Sequence, residues 1–343
     1  MNFTPDITIF WGKTSQNLAH VFVRVAGLPS DARLSGFVHG PVCRYSRTLP
    51  SRIMLRDLGP GNERLLRAAI PDPCFWSPAL PFLYDAELQV ETDAAEPVAL
   101  RQSFGVRMFG ASGRSLRLEG KRWVARGTRW PAASETHTPN RDGGPSLAEA
   151  IAALHDESLV AVVTDPSPAV CREASEAGVM LLVSVANNHA AFEHQVAELA
   201  RWPGVAMIAV PAAYDVNVSD RVGALRGRFP NLLFAATMAA SERDSGAMPI
   251  DWADAVIADI GPAACSEQET ATWLAELGRA NRPVLVSRHE PALESQSDAV
   301  ADEPAELFLD ARAACDRLQA DTAEFGDFAG YLIDGTPFGS GRR

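Results

Sequence analysis

The feature that most constrains this chain is a series of short runs that are apolar at nearly every position. LVAVVT (159–164), VMLLVSVA (179–186), VAMIAV (205–210), NLLFAAT (231–237), DAVIADI (254–260), RPVLVS (282–287) and AGYLIDG (329–335) follow one another at intervals of a few dozen residues. A strand with one face in water alternates apolar and polar residues. A strand that is apolar throughout has both faces covered, as in a parallel sheet sheathed by helices. With RWVARGT (122–128) in front of them, these runs make eight strands. Helical patterns are expected between them at Leu147 to Asp156, Ala169 to Ala177, Ala190 to Trp202, Asp220 to Phe229, Glu267 to Arg279 and Ala305 to Thr322. Eight such units in about 225 residues fit a compact (β/α)8 barrel, with a doubly wound open sheet as the second choice. No GxGxxG follows any of the strands, which weakens a dinucleotide reading.

Before about Met108 the pattern is different. DITIFWG, AHVFVRVAG, ARLSGFVHG, SRIMLRDLG, RLLRAAIP, LYDAELQVET and ALRQSFGVRMF are separated by Gly, Pro, Asp or Asn clusters, and several of them alternate. Turn signals about every ten residues and some seven strands predict an immunoglobulin-like β-sandwich. The expected organisation is therefore a sandwich over residues 1–110 and a TIM barrel over 111–343.

Totals exclude several functions. A net charge of −12 argues against a nucleic-acid partner, because phosphate binding needs clustered Lys and Arg. No run reaches the roughly 18 apolar residues of a membrane helix. The first residues, MNFTPDITIFWG, show no basic n-region, unbroken apolar stretch or cleavage site, so a cytoplasmic location is expected. Cys43, Cys74, Cys171, Cys265 and Cys315 are scattered without CxxC spacing, and read as reduced thiols. His189 and His194 miss the four-residue spacing of two ligands on one helix face, and His289-Glu290 lacks the second histidine of a zinc-hydrolase helix. No metal and no cofactor is expected.

The junction between the two parts is the most specific stretch. It holds Trp76-Ser77-Pro78, Pro81-Phe82-Leu83-Tyr84, Phe104-Gly105-Val106-Arg107, Glu119-Gly120-Lys121 and Arg126-Gly127, in that order. In order and spacing these fragments resemble glycoside hydrolase family 2, the β-galactosidases, β-mannosidases and β-glucuronidases. REASEAGVMLLVSV, RWPGVAMIAV, RPVLVSRHE and AGYLIDG resemble that family's strands 3, 4, 7 and 8. The resemblance covers nearly the whole chain but not the family's N-terminal jelly-roll domain. Trp76 and Tyr84 read most simply as core aromatics of the sandwich.

The resemblance implies a retaining glycosidase, in which an acid and a nucleophilic carboxylate lie about 5–5.5 Å apart. On that pattern Ala212 and Ala213 stand where the strand 4 Asn-Glu belongs, and Arg288 stands at the strand 7 nucleophile. Val163 and Arg129 replace a family arginine and asparagine, and the Trp near the end of strand 8 is missing. The favoured expectation is a catalytically inactive pseudo-glycosidase that binds carbohydrate or serves as an interaction scaffold. Its partner would be a carbohydrate, a protein or a second copy of the chain. The alternative is an active glycosidase with carboxylates relocated to Asp215 and Glu290, two residues beyond the lost ones and tuned by Arg288 or His289. Barrel chemistry sits at strand C-terminal ends, so the ligand-binding candidates are Arg129, Trp130, Asp165, Asn187, Tyr214, Arg288 and Asp334, beside Asn188 and Asp259. Trp130 would either stack on a sugar or cover the mouth. The polar stretches Pro131 to Ser146 and Ser287 to Glu306 read as lids or as solvated loops.

Overall fold

The computed structural model describes residues 5–29, 31–59, 63–93, 95–130, 146–185, 191–212, 217–240, 250–261, 266–289 and 306–334. The N-terminal part is a sandwich of two four-stranded antiparallel sheets. One contains β1 (Asp6–Ser15), β2 (Leu18–Ala26), β6 (Arg64–Pro71) and β5 (Arg56–Asp57), in that spatial order. The other runs β4 (Ser51–Met54), β3 (Arg33–Val42), β7 (Leu83–Thr92) and β8 (Ala95–Phe104). The expected single strand SRIMLRDLG is divided between the sheets. Leu55, buried between β4 and β5, turns inward and its N–H donates to the Gly36 carbonyl at 2.9 Å. Alternation then places Val21, Val23, Leu66, Ala68, Tyr84, Ala86 and Leu88 in one core. The Tyr84 hydroxyl accepts from the Cys74 N–H at 2.9 Å, and burial pushes its pKa up to about 12.

RWVARGT, expected as one strand, also divides. Lys121–Trp123 is β11, which joins β9 (Phe109–Ser112) and β10 (Ser115–Leu118) in a small sheet. Ala125–Arg129 is β12, which opens the barrel. It is followed by β13 (Val160–Thr164), β14 (Leu181–Ser184), β15 (Val205–Pro211), β16 (Leu233–Ala239), β17 (Ala255–Asp259), β18 (Val284–His289) and β19 (Gly330–Asp334). All eight are parallel, and β19 pairs back onto β12 to close the barrel. Among the described residues the helices are α1 (Leu147–Asp156), α2 (Pro168–Ala177), α3 (Phe192–Leu199), α4 (Val218–Arg228), α5 (Glu267–Arg279) and α6 (Glu306–Thr322). The starts of α1, α2 and α5 follow from capping chemistry. Ser146 with Glu149 and Ser266 with Glu269 form capping boxes, and Ser167 caps α2 ahead of Pro168.

The seam between sandwich and barrel is built from the junction motifs. Trp76 packs with Leu116, Ala125, Met180 and Met207 at the floor of the barrel, not in the sandwich core expected for it. Its indole N–H donates to the Ser175 carbonyl at 2.8 Å. Ser175 Oγ in turn accepts from the Gly204 N–H at 3.0 Å and donates to the Cys171 carbonyl at 2.6 Å. Gly105 is required beside it, because a Cβ there would come within 2.8 Å of the Trp76 Cβ. Arg107 reaches into the loops before β15 and β16. It donates to the carbonyls of Pro203, of Val205 at 2.8 Å and of Asn231 at 3.3 Å. Trp11 completes the clamp through its indole N–H on the Arg107 carbonyl (2.9 Å) and through Asn231 Oδ1 (2.9 Å). These contacts fall on the loops that enter the strands, so the sandwich covers the floor and leaves the opposite end to the C-terminal strand tips.

Burial also sets thiol chemistry. Cys171 and Cys315 are buried, with pKa values pushed up to about 12 and about 11 by desolvation, whereas Cys43 and Cys74 are half-buried, the Cys74 thiol being raised by the same cause. A raised pKa withholds the thiolate that reacts. Native-state alkylation at pH 8 followed by mass spectrometry is therefore expected to label Cys43 and Cys74 and to spare Cys171 and Cys315 until denaturant is added. Labelling all four at equal rates would contradict the packing described.

Candidate functional site

Side-chain direction in a strand alternates, so the packed residues of each run state which positions face the barrel axis. Val162, Leu182, Ala209, Ala235, Ile257, Leu285 and Leu332 share the interior cluster. Their neighbours Ala161, Val163, Leu181, Val183, Ile208, Val210, Phe234 and Ala236 pack with the helices. Carried one pleat further toward the strand ends, the inward positions are Arg129, Thr164, Ser184, Pro211, Thr237, Asp259, Ser287 and Asp334, with His289 one pleat beyond Ser287. Register agrees: Thr164 lies beside Ser184, Pro211 beside Thr237 and Asp259 beside Ser287. The mouth is thus a ring of hydroxyls with one guanidinium, one imidazole and two aspartate positions, Asp259 and Asp334.

The same parity takes two candidates out of the mouth. Trp130 turns to the helix layer, 2% exposed against Ile151 and Leu154, and its indole N–H has no partner among the described residues. Its backbone N–H continues the sheet by donating to the Val162 carbonyl at 2.8 Å. Arg288 follows Val284 and Val286 outward, and its Nη1 meets Asp321 Oδ2 of α6 at 2.8 Å. It stands one position out of phase with the mouth, so the cation matched to the lost nucleophile serves as a strand–helix tie. Val163 is outward as well, and the inward positions beside it are Val162 and Thr164.

Arg129 ends β12 exposed at the rim. Asp165 takes a left-handed backbone (φ 47°) just past β13, and its carboxylate accepts from the Gln195 amide of α3. Asp334 closes β19 in register with His289. Ala212 is buried, and its N–H donates to the Thr237 carbonyl at 2.9 Å, so pairing runs past Pro211. Asn187, Asn188, Ala213, Tyr214, Asp215 and Glu290 lie outside the described residues, as does most of each polar stretch expected to form a lid. Thr164, Ser184, Thr237 and Ser287 were not among the expected site residues. Each nonetheless stands as the polar residue near the end of an apolar run, and counting parity back along that run finds it.

Chemically the ring offers donors and acceptors in close alternation, suited to a polyhydroxylated ligand. Among the described residues no group of three or more His, Cys, Asp or Glu is placed to hold a metal ion, and no helix is long and apolar enough to cross a membrane.

No protein-family profile and no curated protein sequence matches the chain. Solved structures do. The β-glucuronidase of Bifidobacterium dentium complexed with coumarin-3-O-glucuronide is similar with a TM-score of 0.68 at 14% identity, over 96% of this chain and 60% of that one. The β-D-glucuronidase of Dictyoglomus thermophilum matches with a TM-score of 0.60 at 12% identity, over 96% of this chain and 61% of that one. That of Parabacteroides merdae matches at 0.63 and 13%, over 98% and 48%. The chain shares the fold of part of these β-glucuronidases. The sandwich-plus-barrel architecture is therefore the one that the junction motifs implied, and at these identities the likeness is one of fold. The chain spans about half to three fifths of the length of these β-glucuronidases.

Proposed function

We propose that this protein is a glycosidase-like scaffold that binds carbohydrate at the barrel mouth without hydrolysing it. The observation that carries the reading is that the strand 7 position matched to the nucleophile is Arg288, turned outward onto Asp321 of α6, while an alanine occupies the position matched to the strand 4 acid. Displacement at a glycosidic carbon needs two carboxyl groups across the scissile bond. The carboxyl-bearing positions of the ring, Asp259 at the end of β17 and Asp334 at the end of β19, lie on strands other than strands 4 and 7, set among Thr164, Ser184, Thr237, Ser287, His289 and Arg129. Hydroxyls and a guanidinium hold sugar hydroxyls well, while His289 stands one pleat beyond Ser287, on the strand from which the nucleophile position is lost. The two units of the chain are taken as residues 1–110 and 111–343, with the small β9–β11 sheet as the seam between them.

The test is hydrolysis of a panel of aryl β-glycosides by wild type, Asp215→Ala and Glu290→Ala. Glucuronides head the panel, since coumarin-3-O-glucuronide is bound by the Bifidobacterium dentium enzyme. No turnover is expected from any of the three proteins. Turnover by wild type that either substitution abolishes would establish the alternative, a working glycosidase with relocated carboxylates. Equilibrium titration of the same sugars should show binding that Arg129→Ala weakens by about tenfold, the loss of one charge-assisted contact.

A further inference from the structure

The sandwich and the barrel floor leave a cleft between them. It is walled by Trp11 and Phe104 of the sandwich and by Trp202 and Leu232 from the loops that enter β15 and β16, with Arg107 and Asn231 beside them. Its volume is about 30 Å³, room for one water-sized occupant and far too little for a sugar ring. Arg107 brings an unmet requirement to this cleft. The residue is more than nine-tenths buried, and its Nη1 and Nη2 donate to the carbonyls of Pro203, Val205 and Asn231. Its Nε is buried with no hydrogen-bond partner among the described residues. Nε shares one edge of the planar guanidinium with Nη2, the nitrogen that reaches Asn231 at 3.3 Å, so it faces the side on which the cleft lies.

The charges on this side of the seam do not supply the missing partner. Asp6 is shared by Arg201 and Arg228, Glu198 meets Arg201 at 3.2 Å, and Glu63 meets Arg24 at 3.2 Å. Among the described residues Arg107 is the guanidinium here without a carboxylate, and it is the buried one. A cation taken out of water and held by neutral carbonyls keeps much of its desolvation cost. A water molecule in the cleft would satisfy the Nε–H and leave that cost in place. An anion of similar size meets both needs.

We propose that this cleft is a site for a small monovalent anion, chloride in ordinary buffers, held by Arg107 Nε and tying the sandwich to the barrel floor. It stands whether or not the mouth binds sugar, because the cleft lies at the opposite end of the barrel.

The experiment is urea denaturation of the full chain in sodium fluoride, chloride and bromide at equal concentration. Salts that act by exclusion from the protein surface stabilise most when most strongly hydrated, so fluoride leads and bromide trails. A cleft with apolar walls favours the anion that sheds its water most readily, which reverses the order. The wild-type midpoint is therefore expected to be highest in bromide. A halide at ten times its dissociation constant raises the midpoint by about 0.5 M. Arg107→Met is expected to restore the fluoride-led order. Arg282→Met also takes a guanidinium from two backbone carbonyls, those of Ile250 and Ala253, but away from the seam, and is expected to keep the wild-type order. Should Arg107→Met fail to fold, wild-type crystals grown in bromide decide the matter: an anomalous peak is expected within hydrogen-bond distance of Arg107 Nε. A fluoride-led order in wild type would overturn the proposal. So would a bromide-led order that survives Arg107→Met or is lost equally in Arg282→Met, or a cleft with no anomalous peak.

Discussion

Replacing Trp76 by alanine is expected to destabilise the protein by about 3–5 kcal/mol, the cost of removing a fully packed large aromatic. Trp76 has no exposed surface and touches both parts of the molecule: it lies between β6 and β7 of the sandwich yet packs into the barrel floor. Alanine would leave a cavity among Leu116, Met180 and Met207, and would leave the Ser175 carbonyl without its indole donor. Relaxation into the cavity is limited, because Ser175 is itself held between Cys171 and Gly204. Trp76→Phe keeps most of the packing and loses the hydrogen bond, for an expected cost nearer 1–2 kcal/mol. Urea denaturation of the three proteins checks this through the shift of midpoint at constant slope. A loss below about 1 kcal/mol for the alanine variant would mean that the floor closes without Trp76.

Arg107→Met is the second large effect, expected at about 3 kcal/mol. Arg107 is 6% exposed, and desolvation lowers its pKa to about 10, so it remains cationic at neutral pH with no carboxylate beside it. Its worth lies in the carbonyls of Pro203, Val205 and Asn231, which all aim at one guanidinium. Each carbonyl left unpaired and buried costs about 1–3 kcal/mol, and release of the buried cation offsets part of the sum. Arg107→Lys should recover little, since one ammonium on a flexible stem cannot span three carbonyls that a planar fork reaches together. If the methionine variant matched wild type in urea, the clamp would be dispensable and the Trp11–Asn231 pair would have to hold the seam.

Helices α1 and α5 begin and end where the sequence pattern places them, and the other four differ by three residues or fewer at either end. Such agreement follows from local causes, a serine cap at one end and an apolar stripe between. The strands that divided, SRIMLRDLG and RWVARGT, show the limit of local reading. Nothing inside either run marks Leu55 or Val124 as the residue at which the chain leaves one sheet for another. The choice is made by Gly36 across the sandwich, and by β10 and β19 on either side of the seam. At the mouth, Arg129, Asp259 and Asp334 share the parity of the axis-facing positions, while Trp130 and Arg288 are out of phase. A shift of one residue in a strand exchanges the two faces, and a motif match does not resolve one residue.

By itself, then, the sequence determined the two-part architecture, the eight barrel strands and the positions of the helices, because periodicity and capping act within a few residues. It also contained the junction fragments, but not their purpose. Trp76 finds its acceptor 99 residues away, and Arg107 finds its three carbonyls 96 to 124 residues away. Only the closed barrel brings those groups together. The tertiary structure alone decided that these fragments lock the floor of the barrel, and that hydroxyls, rather than Trp130 and Arg288, face the axis at its mouth. The reason is the same in both cases: partners distant in sequence, and the parity of a strand, exist only once the sheet has closed.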